Sequence, residues 1–448
     1  MLGRLSFLSS VLVLVALLVA CAPAATPTPT PAAPPKAAVS PTAAAPAPAP
    51  TTAAPAAKPT EAAKPAAAPI KIGILTPLTG VYAALGSDIR DAFILYLEQK
   101  SNTLAGRKVE LVVEDDEVKP DVGLTKARKM VERDNVKLIV GVVSSAVAAG
   151  IADYINAQKI PLILTNASDD PLTQQKSSPY VWRIANSSSQ TAHPLGEWAY
   201  KKGYRKAVIM GADYPAGWQL AGGFARTFTQ AGGQVIQEIY PPLGSPDFAP
   251  YITTIKRDAD VVHSFSAGAD GLRFVTQYTE FGLKGKIPLI GRSMTDEDIL
   301  QKEGDAALGI VVSATYTAAI DRPQMKSFIS AFEKRFNKPV TPSAEMTYTG
   351  AMVLDAALEA VKGNIEDMDG FLKALVKVEA EAPSSKVKFD QYHNVVRDIY
   401  INEVKKVGTT YVNTILETIP QVSQFWKWTP DEYMKLPIYA EMKGKWAK

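Results

Sequence analysis

The sequence has few of the residues that build metal, disulfide or catalytic sites. Its single cysteine has no partner for an intrachain disulfide, and its three histidines, at 193, 263 and 393, lack metal-ligand spacing. It contains no Gly-x-Ser-x-Gly elbow, no Gly-Lys-Ser/Thr phosphate loop and no nucleotide-binding glycine fingerprint. The sequence therefore indicates no cofactor and no metal, and it favours a binding protein over an enzyme.

An excess of one charge is also missing. The chain carries 48 Lys and Arg against 45 Asp and Glu, with no basic run, which argues against nucleic acid as a partner. Beyond the first twenty residues no apolar stretch reaches the roughly 20 residues that cross a bilayer. The densest acidic run, at 114–117, lacks the alternating spacing of a calcium loop. We expect it to be a solvated loop at a strand end, with calcium binding as the less favoured alternative.

The one cysteine follows a segment that has the layout of a secretory signal. Arg4 is the only charge before Cys21, residues 5–20 are almost wholly apolar, and the segment ends in Leu-Val-Ala-Cys. This end resembles a bacterial lipobox, in which the cysteine takes a diacylglyceryl group and becomes the mature N-terminus. We predict a signal peptide over 1–20 and lipidation at Cys21. The alternative is an uncleaved anchor helix, and both place the protein outside the cytoplasm, tethered to a membrane.

The next segment, residues 21–69, consists mostly of Ala, Pro and Thr. Val39 is its only large apolar side chain, so the segment has nothing from which to build a core. Its prolines favour extended conformations over helix. We predict a stalk that holds the following domain off the membrane.

From residue 70 onward, short apolar runs alternate with helical patterns. The run at 138–143 is apolar throughout, as expected of a parallel strand that is covered on both faces. The alternation restarts after residue 183, and two long helical patterns, at 324–336 and 343–361, precede further strands. This order predicts an α/β fold with two doubly wound, mainly parallel-sheet lobes.

Polar residues follow two of the predicted strands. Ser144 and Ser145 end the strand at 138–143 just before a helix, and residues 165–168 end the next strand. Ligands of open α/β sheets lie beyond the carboxyl ends of the strands, and a helix N-terminus attracts anions. The sequence therefore predicts an anion site here. The alternative for either serine is a helix N-cap without a ligand.

Several motifs occur in the order typical of one known family. They are IGILTPLTG at 72–80, VVEDD at 112–116, GVVSS at 141–145, DYPAG at 213–217, DFA at 247–249 and ADVV at 259–262. From about residue 70 to about residue 411 the chain resembles the Leu/Ile/Val-binding family of type I solute-binding proteins.

The resemblance implies two lobes that are joined by a three-stranded hinge and close over a small solute. The lobes would comprise 70–187 plus 318–394 and 188–317 plus 395–448. The expected partners are an ABC permease and its ATPase, and we expect a monomer. A ligand-sensing co-receptor of the same fold is the alternative function.

The resemblance also assigns ligand contacts. Ser144, with Ser145 beside it, would hold a carboxylate, and Tyr214 would close on the ligand from the second lobe. Leu85 stands where branched-chain binders carry an aromatic wall, with Tyr82 nearby as a substitute. Asn166, Ala167 and Ser168 match a small-residue segment that gives backbone and hydroxyl contacts.

The chain departs from the family where amino-acid binders hold the ammonium group. Ser187 and Ser293 stand where those proteins have acidic residues, and Ala267 replaces a second closing tyrosine. A buried ammonium without a carboxylate costs several kcal/mol, and Asp296 is the nearest substitute in sequence. We therefore expect a carboxylate-bearing solute, either a branched-chain amino acid or an organic or aromatic acid. Amides and urea are the alternative ligands.

Two further features are expected to be structural. His263 lies within an apolar run and is predicted to be a core residue with its hydrogen bonds satisfied. For Phe425, Trp426 and Trp428 we expect packing rather than ligand contact.

Overall fold

The structure, a computed structural model, describes residues 68–448. The predicted signal peptide, Cys21 and the predicted stalk up to residue 67 lie outside the described residues. No helix in the described part of the chain is long and apolar enough to cross a bilayer.

The strands fall into two groups along the chain, before and after residue 200. They are β1 Ile70–Thr76, β2 Thr103–Leu104, β3 Arg107–Asp115, β4 Leu138–Gly141, β5 Leu162–Leu164, β6 Val181–Arg183, β7 Lys206–Gly211, β8 Gln234–Ile239, β9 Val261–Phe265, β10 Leu289–Arg292, β11 Val311–Ala314, β12 Ala380–Glu381, β13 Lys386–Phe389, β14 Val395–Val407 and β15 Thr410–Val422.

Helices separate most of these strands. They are α1 Ala83–Gln99, α2 Pro120–Arg128, α3 Ser145–Gln158, α4 Ser188–Lys201, α5 Pro215–Gln230, α6 Ala249–Ile252, α7 Ala269–Glu280, α8 Glu297–Glu303, α9 Pro323–Phe336, α10 Pro342–Ala360, α11 Met368–Leu375, α12 Pro430–Tyr433 and α13 Tyr439–Met442.

The first sheet has six strands in the order β2-β3-β1-β4-β5-β6, and all its pairings except β2 with β3 are parallel. Strand β4 is wholly buried because helices cover both of its faces. Leu138 and Val140 pack in the same cluster as Ile89 of α1, whereas Ile139 packs with Ile151 of α3 on the opposite face. This is the double covering that a continuous apolar run predicts.

The second sheet has nine strands. Its parallel part runs β8-β7-β9-β10-β11, and β14 continues it in antiparallel orientation. Strand β14 also pairs with β15 and, through β13, links β12 to this sheet. The two mainly parallel sheets confirm the predicted fold class.

The chain passes between the two lobes three times. It first leaves β6 for α4 and β7. After β11 it returns to the first lobe, where Asp355 of α10 accepts a hydrogen bond of 2.7 Å from Tyr96 of α1. It then re-enters the second sheet through β12 to β15. The predicted lobe boundaries stay a prediction, because strand pairing does not define where a lobe ends.

Local signals account for several helix boundaries. Pro215, Pro323 and Pro342 occupy the first helical positions of α5, α9 and α10, where a proline's missing N–H costs nothing. Asn337 follows the last residue of α9 and takes the left-handed conformation with φ of 53°. These residues allow the first and last residues of the helices to be predicted from the sequence.

Candidate functional site

A cavity lies between the two sheets, at the carboxyl ends of their central parallel strands. Its volume is about 500 Å³, including the open space at its mouth. It is lined by Tyr82, Leu85, Val143, Asn166, Ser168, Tyr214, Leu220, Phe265, Ala267, Arg292, Ser293, Asp296, Pro342, Ser343 and Met346. The lining residues come from both lobes, so the complete cavity exists only when the lobes lie together.

Two direct contacts hold the lobes against each other beside the cavity. The hydroxyl oxygens of Tyr82 and Tyr214 lie 3.0 Å apart, and both side chains are buried. Gln219 of α5 bridges to the segment after β5. Its Nε2 donates to Asp169 Oδ1 over 2.6 Å, and its Oε1 accepts from the backbone N–H of Asp170 over 3.0 Å. The structure is therefore a closed form.

Arg292, at the end of β10, supplies a buried cation to the cavity wall. Its Nη1 donates to the Ser313 carbonyl over 3.1 Å, and its Nη2 donates to Asn186 Oδ1 over 2.9 Å. Burial lowers the pKa of Arg292 to about 10, so the guanidinium stays charged at neutral pH. Among the described residues no carboxylate forms an ion pair with it. The guanidinium has five N–H donors. In this structure two of its nitrogens donate to neutral oxygen atoms, those of Ser313 and Asn186.

Asp296 lines the same cavity at the start of α8. Burial raises the pKa of Asp296 to about 6, and the Arg292 cation limits that rise. Between the two charges stands Ser293 with φ of 59°, a left-handed conformation that is uncommon outside glycine and is often found at functional sites. Here the turn brings a cation and a carboxyl group to one wall.

Most residues predicted from the sequence lie in this wall. They are Tyr82, Leu85, Asn166, Ser168, Tyr214, Ala267 and Ser293. Asn166 donates from Nδ2 to Ser343 Oγ over 2.6 Å, and Ser168 Oγ lies 2.8 Å from Ser188 Oγ. The structure thus brings these predicted residues together, and their contact with a ligand stays a prediction.

The other predicted residues lie behind the wall. Ser144 is the N-cap of α3, since its Oγ accepts from the backbone N–H of Val147 over 3.4 Å. Ser145 Oγ accepts from the N–H of Ser168 over 3.2 Å, and the buried Ala167 accepts from Arg183 Nε through its carbonyl over 3.3 Å. For Ser144 the structure shows the capping role that the sequence left open. The departure at Ser187 is also structural, because this buried residue precedes α4 outside the wall.

Several wall residues were not predicted from the sequence. Arg292 could have been found from the sequence, because it is a lone charged residue at the end of an apolar strand. Phe265 could not, because in the sequence it is only the last apolar residue of β9. Ser343 and Met346 come from α10, which local patterns do not connect with the first lobe. Asp296, considered only as a substitute, lies in the wall.

The acidic run at 114–117 forms local structure. Glu114 pairs with Lys126 and Lys129, and Asp115 accepts from the N–H groups of Leu78 and Glu117. Asp116 is wholly buried. The expectation of a solvated loop was therefore wrong for Asp116, which packs under the start of α2.

His263 and the C-terminal aromatic residues also lie away from the cavity wall. His263 is fully buried and stacks on Phe224 at 4.3 Å, but neither ring nitrogen has a hydrogen-bond partner among residues 68–448. Its predicted place in the core is confirmed, and the predicted satisfaction of its hydrogen bonds was wrong. Burial lowers the pKa of His263 to about 3, so the ring stays neutral. Phe425 and Trp428 pack around Tyr433, as expected of structural residues.

Comparison with known proteins agrees with this architecture. The family model for periplasmic binding proteins matches residues 69–409. Leu/Ile/Val-binding protein homolog 6 of Brucella melitensis is 27% identical over 358 residues, which cover 78% of this chain and 91% of that protein. An ABC transporter substrate-binding protein from Sphaerobacter thermophilus superposes with a TM-score of 0.75 and 36% identity, over 80% of this chain and 99% of that one.

A further solved structure contains a ligand. The solute-binding protein of an ABC transporter from Rhodopseudomonas palustris BisB5, in complex with 3,4-dihydroxybenzoic acid, is 31% identical with a TM-score of 0.76. The match covers 79% of this chain and 98% of that one.

A two-lobed α/β fold with a closed inter-lobe cavity defines a type I solute-binding protein. This chain belongs to the periplasmic binding protein family, and it is a substrate-binding protein of an ABC transporter. Members of this family act outside the cytoplasm and bind solutes for transport without turning them over.

Proposed function

We propose that the protein captures a small aromatic monocarboxylate and delivers it to an ABC permease. The observation that carries this proposal is Arg292, a buried cation in the cavity wall with no carboxylate partner among the described residues. Hydrogen bonds between a guanidinium and a carboxylate are among the strongest in proteins. A ligand carboxylate would therefore complete the site.

The other walls suit an aromatic ring. Tyr82, Tyr214 and Phe265 surround the cavity, and Leu85 and Met346 add apolar surface. Aromatic pairs contribute about 0.5–1.5 kcal/mol beyond the burial of their area. The Rhodopseudomonas palustris relative that was solved with 3,4-dihydroxybenzoic acid supports this class of ligand.

Asn166, Ser168 and Ser343 form a polar part of the lining, and we assign them to hydroxyl groups on the ligand ring. The amide and hydroxyl groups of these residues both donate and accept hydrogen bonds. A hydroxybenzoate is therefore the preferred test ligand.

Asp296 favours a second candidate, a branched-chain amino acid. Its carboxyl group lies in the same cavity as Arg292, so the wall offers a partner for an ammonium as well as for a carboxylate. The Brucella relative named as a Leu/Ile/Val-binding protein agrees with this candidate.

Isothermal titration calorimetry with 4-hydroxybenzoate and leucine tests the choice. For the aromatic acid, we expect R292A to weaken binding by about 1.5–3 kcal/mol, the usual worth of a hydrogen bond to a charged group. R335A is the matched control, since Arg335 pairs with Glu98 on the surface. Tight leucine binding without 4-hydroxybenzoate binding would replace the proposal by the second candidate.

The membrane tether is a separate part of the proposal. Cys21 would carry the lipid, and the stalk at 21–69 would keep the lobes close to the permease. Two or three acyl chains, each contributing about 0.8 kcal/mol per buried CH₂, anchor firmly. Mass spectrometry of the mature N-terminus should detect an acylated Cys21, and C21A should release the protein from the membrane. An unmodified Cys21 would contradict the anchor.

A further inference from the structure

Asn186 stands in the first connection between the two lobes and touches the cation of the cavity. It is buried, and its Oδ1 accepts from Arg292 Nη2 over 2.9 Å. Its Nδ2 donates to the Ser187 carbonyl over 2.8 Å. The carboxamide of Asn186 thus accepts a hydrogen bond through its oxygen and donates one through its nitrogen, and these two bonds together fix its orientation.

The backbone around Asn186 is also held. The N–H of Ile184 donates to the Leu164 carbonyl over 2.9 Å, and the Ile184 carbonyl accepts from Arg397 Nη1 over 3.3 Å. On the other side, the N–H of Ser187 donates to Gln190 Oε1 over 3.1 Å. Asn186 is therefore a fixed point against which a side chain of the second lobe is oriented.

The chemistry of this contact is significant because the acceptor is neutral. Asn186 and the Ser313 carbonyl hold the guanidinium without cancelling its charge. A carboxylate in the same place would satisfy the cation and leave less attraction for an anionic ligand.

We propose that Asn186 is a positioning residue that sets the preference of the cavity for anionic over neutral ligands. It acts through Arg292, so this inference rests on the proposed function. The connection between the lobes then orients the Arg292 guanidinium toward the ligand. The charge of residue 186 determines how strongly that guanidinium attracts an anionic ligand.

The test compares 4-hydroxybenzoate with its neutral analogue 4-hydroxybenzamide by calorimetry. We expect N186A to weaken acid binding about fivefold to tenfold, the net effect of losing one hydrogen bond that orients Arg292, with little change for the amide. The nearly isosteric N186D should reduce the acid-to-amide affinity ratio further, because its charge neutralises Arg292. A merely structural role would weaken both ligands equally.

N394A provides the matched control. Asn394 is another buried asparagine between the lobes, and its Oδ1 accepts from Arg183 Nη1 over 3.1 Å, away from the cavity wall. N394A should leave the affinity ratio unchanged even if its melting temperature falls. If R292A abolishes acid preference while N186A and N186D keep the wild-type ratio, the inference about Asn186 is wrong and the proposed function stands. If R292A itself keeps that ratio, the proposed function fails.

Discussion

The hydroxyl groups of Tyr82 and Tyr214 meet across the lobes with their oxygens 3.0 Å apart, although 132 positions separate them in the chain. Tyr82 precedes α1 of the first lobe, and Tyr214 precedes α5 of the second. Burial is the largest cause of the raised pKa of both phenols, so both stay protonated. This pair lines the cavity on one side and joins the two lobes in the closed form.

Removing either hydroxyl should weaken the closed form. We expect Y82F and Y214F each to lower ligand affinity by about 0.5–1.5 kcal/mol, the net value of one buried hydrogen bond. The double variant should lose little more than either single one, because both changes remove the same bond. Calorimetry of the three variants measures this coupling, and fully additive losses would show that the two hydroxyls act independently.

The pH dependence of binding separates the two ligand candidates. In the closed form Asp296 ionises as the pH rises through a pKa of about 6. Ionised Asp296 repels a ligand carboxylate, so 4-hydroxybenzoate should bind less tightly as the pH rises from about 5 to about 7.5. An ammonium-bearing ligand such as leucine should show the opposite trend. In D296N both dependences should flatten, and an unchanged profile in that variant would remove Asp296 from the site.

Glu303 should make stability fall as the pH rises. Both of its carboxylate oxygens are buried without a hydrogen-bond partner in the part of the chain that the structure describes, and burial raises the pKa of Glu303 to about 9. A raised pKa in the folded state gives stability that is complete below the unfolded value and is lost as the pH rises through the folded value. In urea unfolding, the free energy of unfolding of E303Q should therefore equal that of the wild type near pH 4 and exceed it at pH 8. E280Q, at the exposed end of α7, is the control, and equal curves for E303Q and the wild type would refute the prediction.

The buried ion pair between Arg397 and Glu345 should be intolerant of single changes. Arg397 Nη2 lies 2.7 Å from Glu345 Oε2, and neither side chain is exposed. Removing one partner leaves an uncompensated buried charge, so R397M or E345Q should cost about 3–5 kcal/mol of unfolding free energy. D321N, which breaks the exposed pair with Lys326, should cost about 1 kcal/mol or less. Denaturant unfolding compares them, and a loss in R397M as small as that in D321N would contradict the expectation.

Secondary structure could be predicted from the sequence where the hydrophobic periodicity was strong. The prediction failed where tertiary packing determined the helix or strand. Helix α4 shows no clear apolar stripe in the sequence, because Ser188, Ser189, Gln190, Thr191 and His193 are buried together with its apolar residues and Pro194 interrupts the helical pattern. Strands β14 and β15 each extend over thirteen residues because they pair with each other along most of their length. That pairing partner is not visible in either strand alone.

The sequence by itself determined the alternation of strands and helices and the family, because both depend on side-chain patterns that are local and ordered along the chain. It also placed polar residues at the strand ends, where the cavity formed. Only the tertiary structure decided that Ser144 caps a helix behind the wall and that Arg292 enters the wall, held by Asn186 from a distant connection. A cavity wall is made of contacts between residues that are far apart in the chain, and the spacing of neighbours carries no information about such contacts.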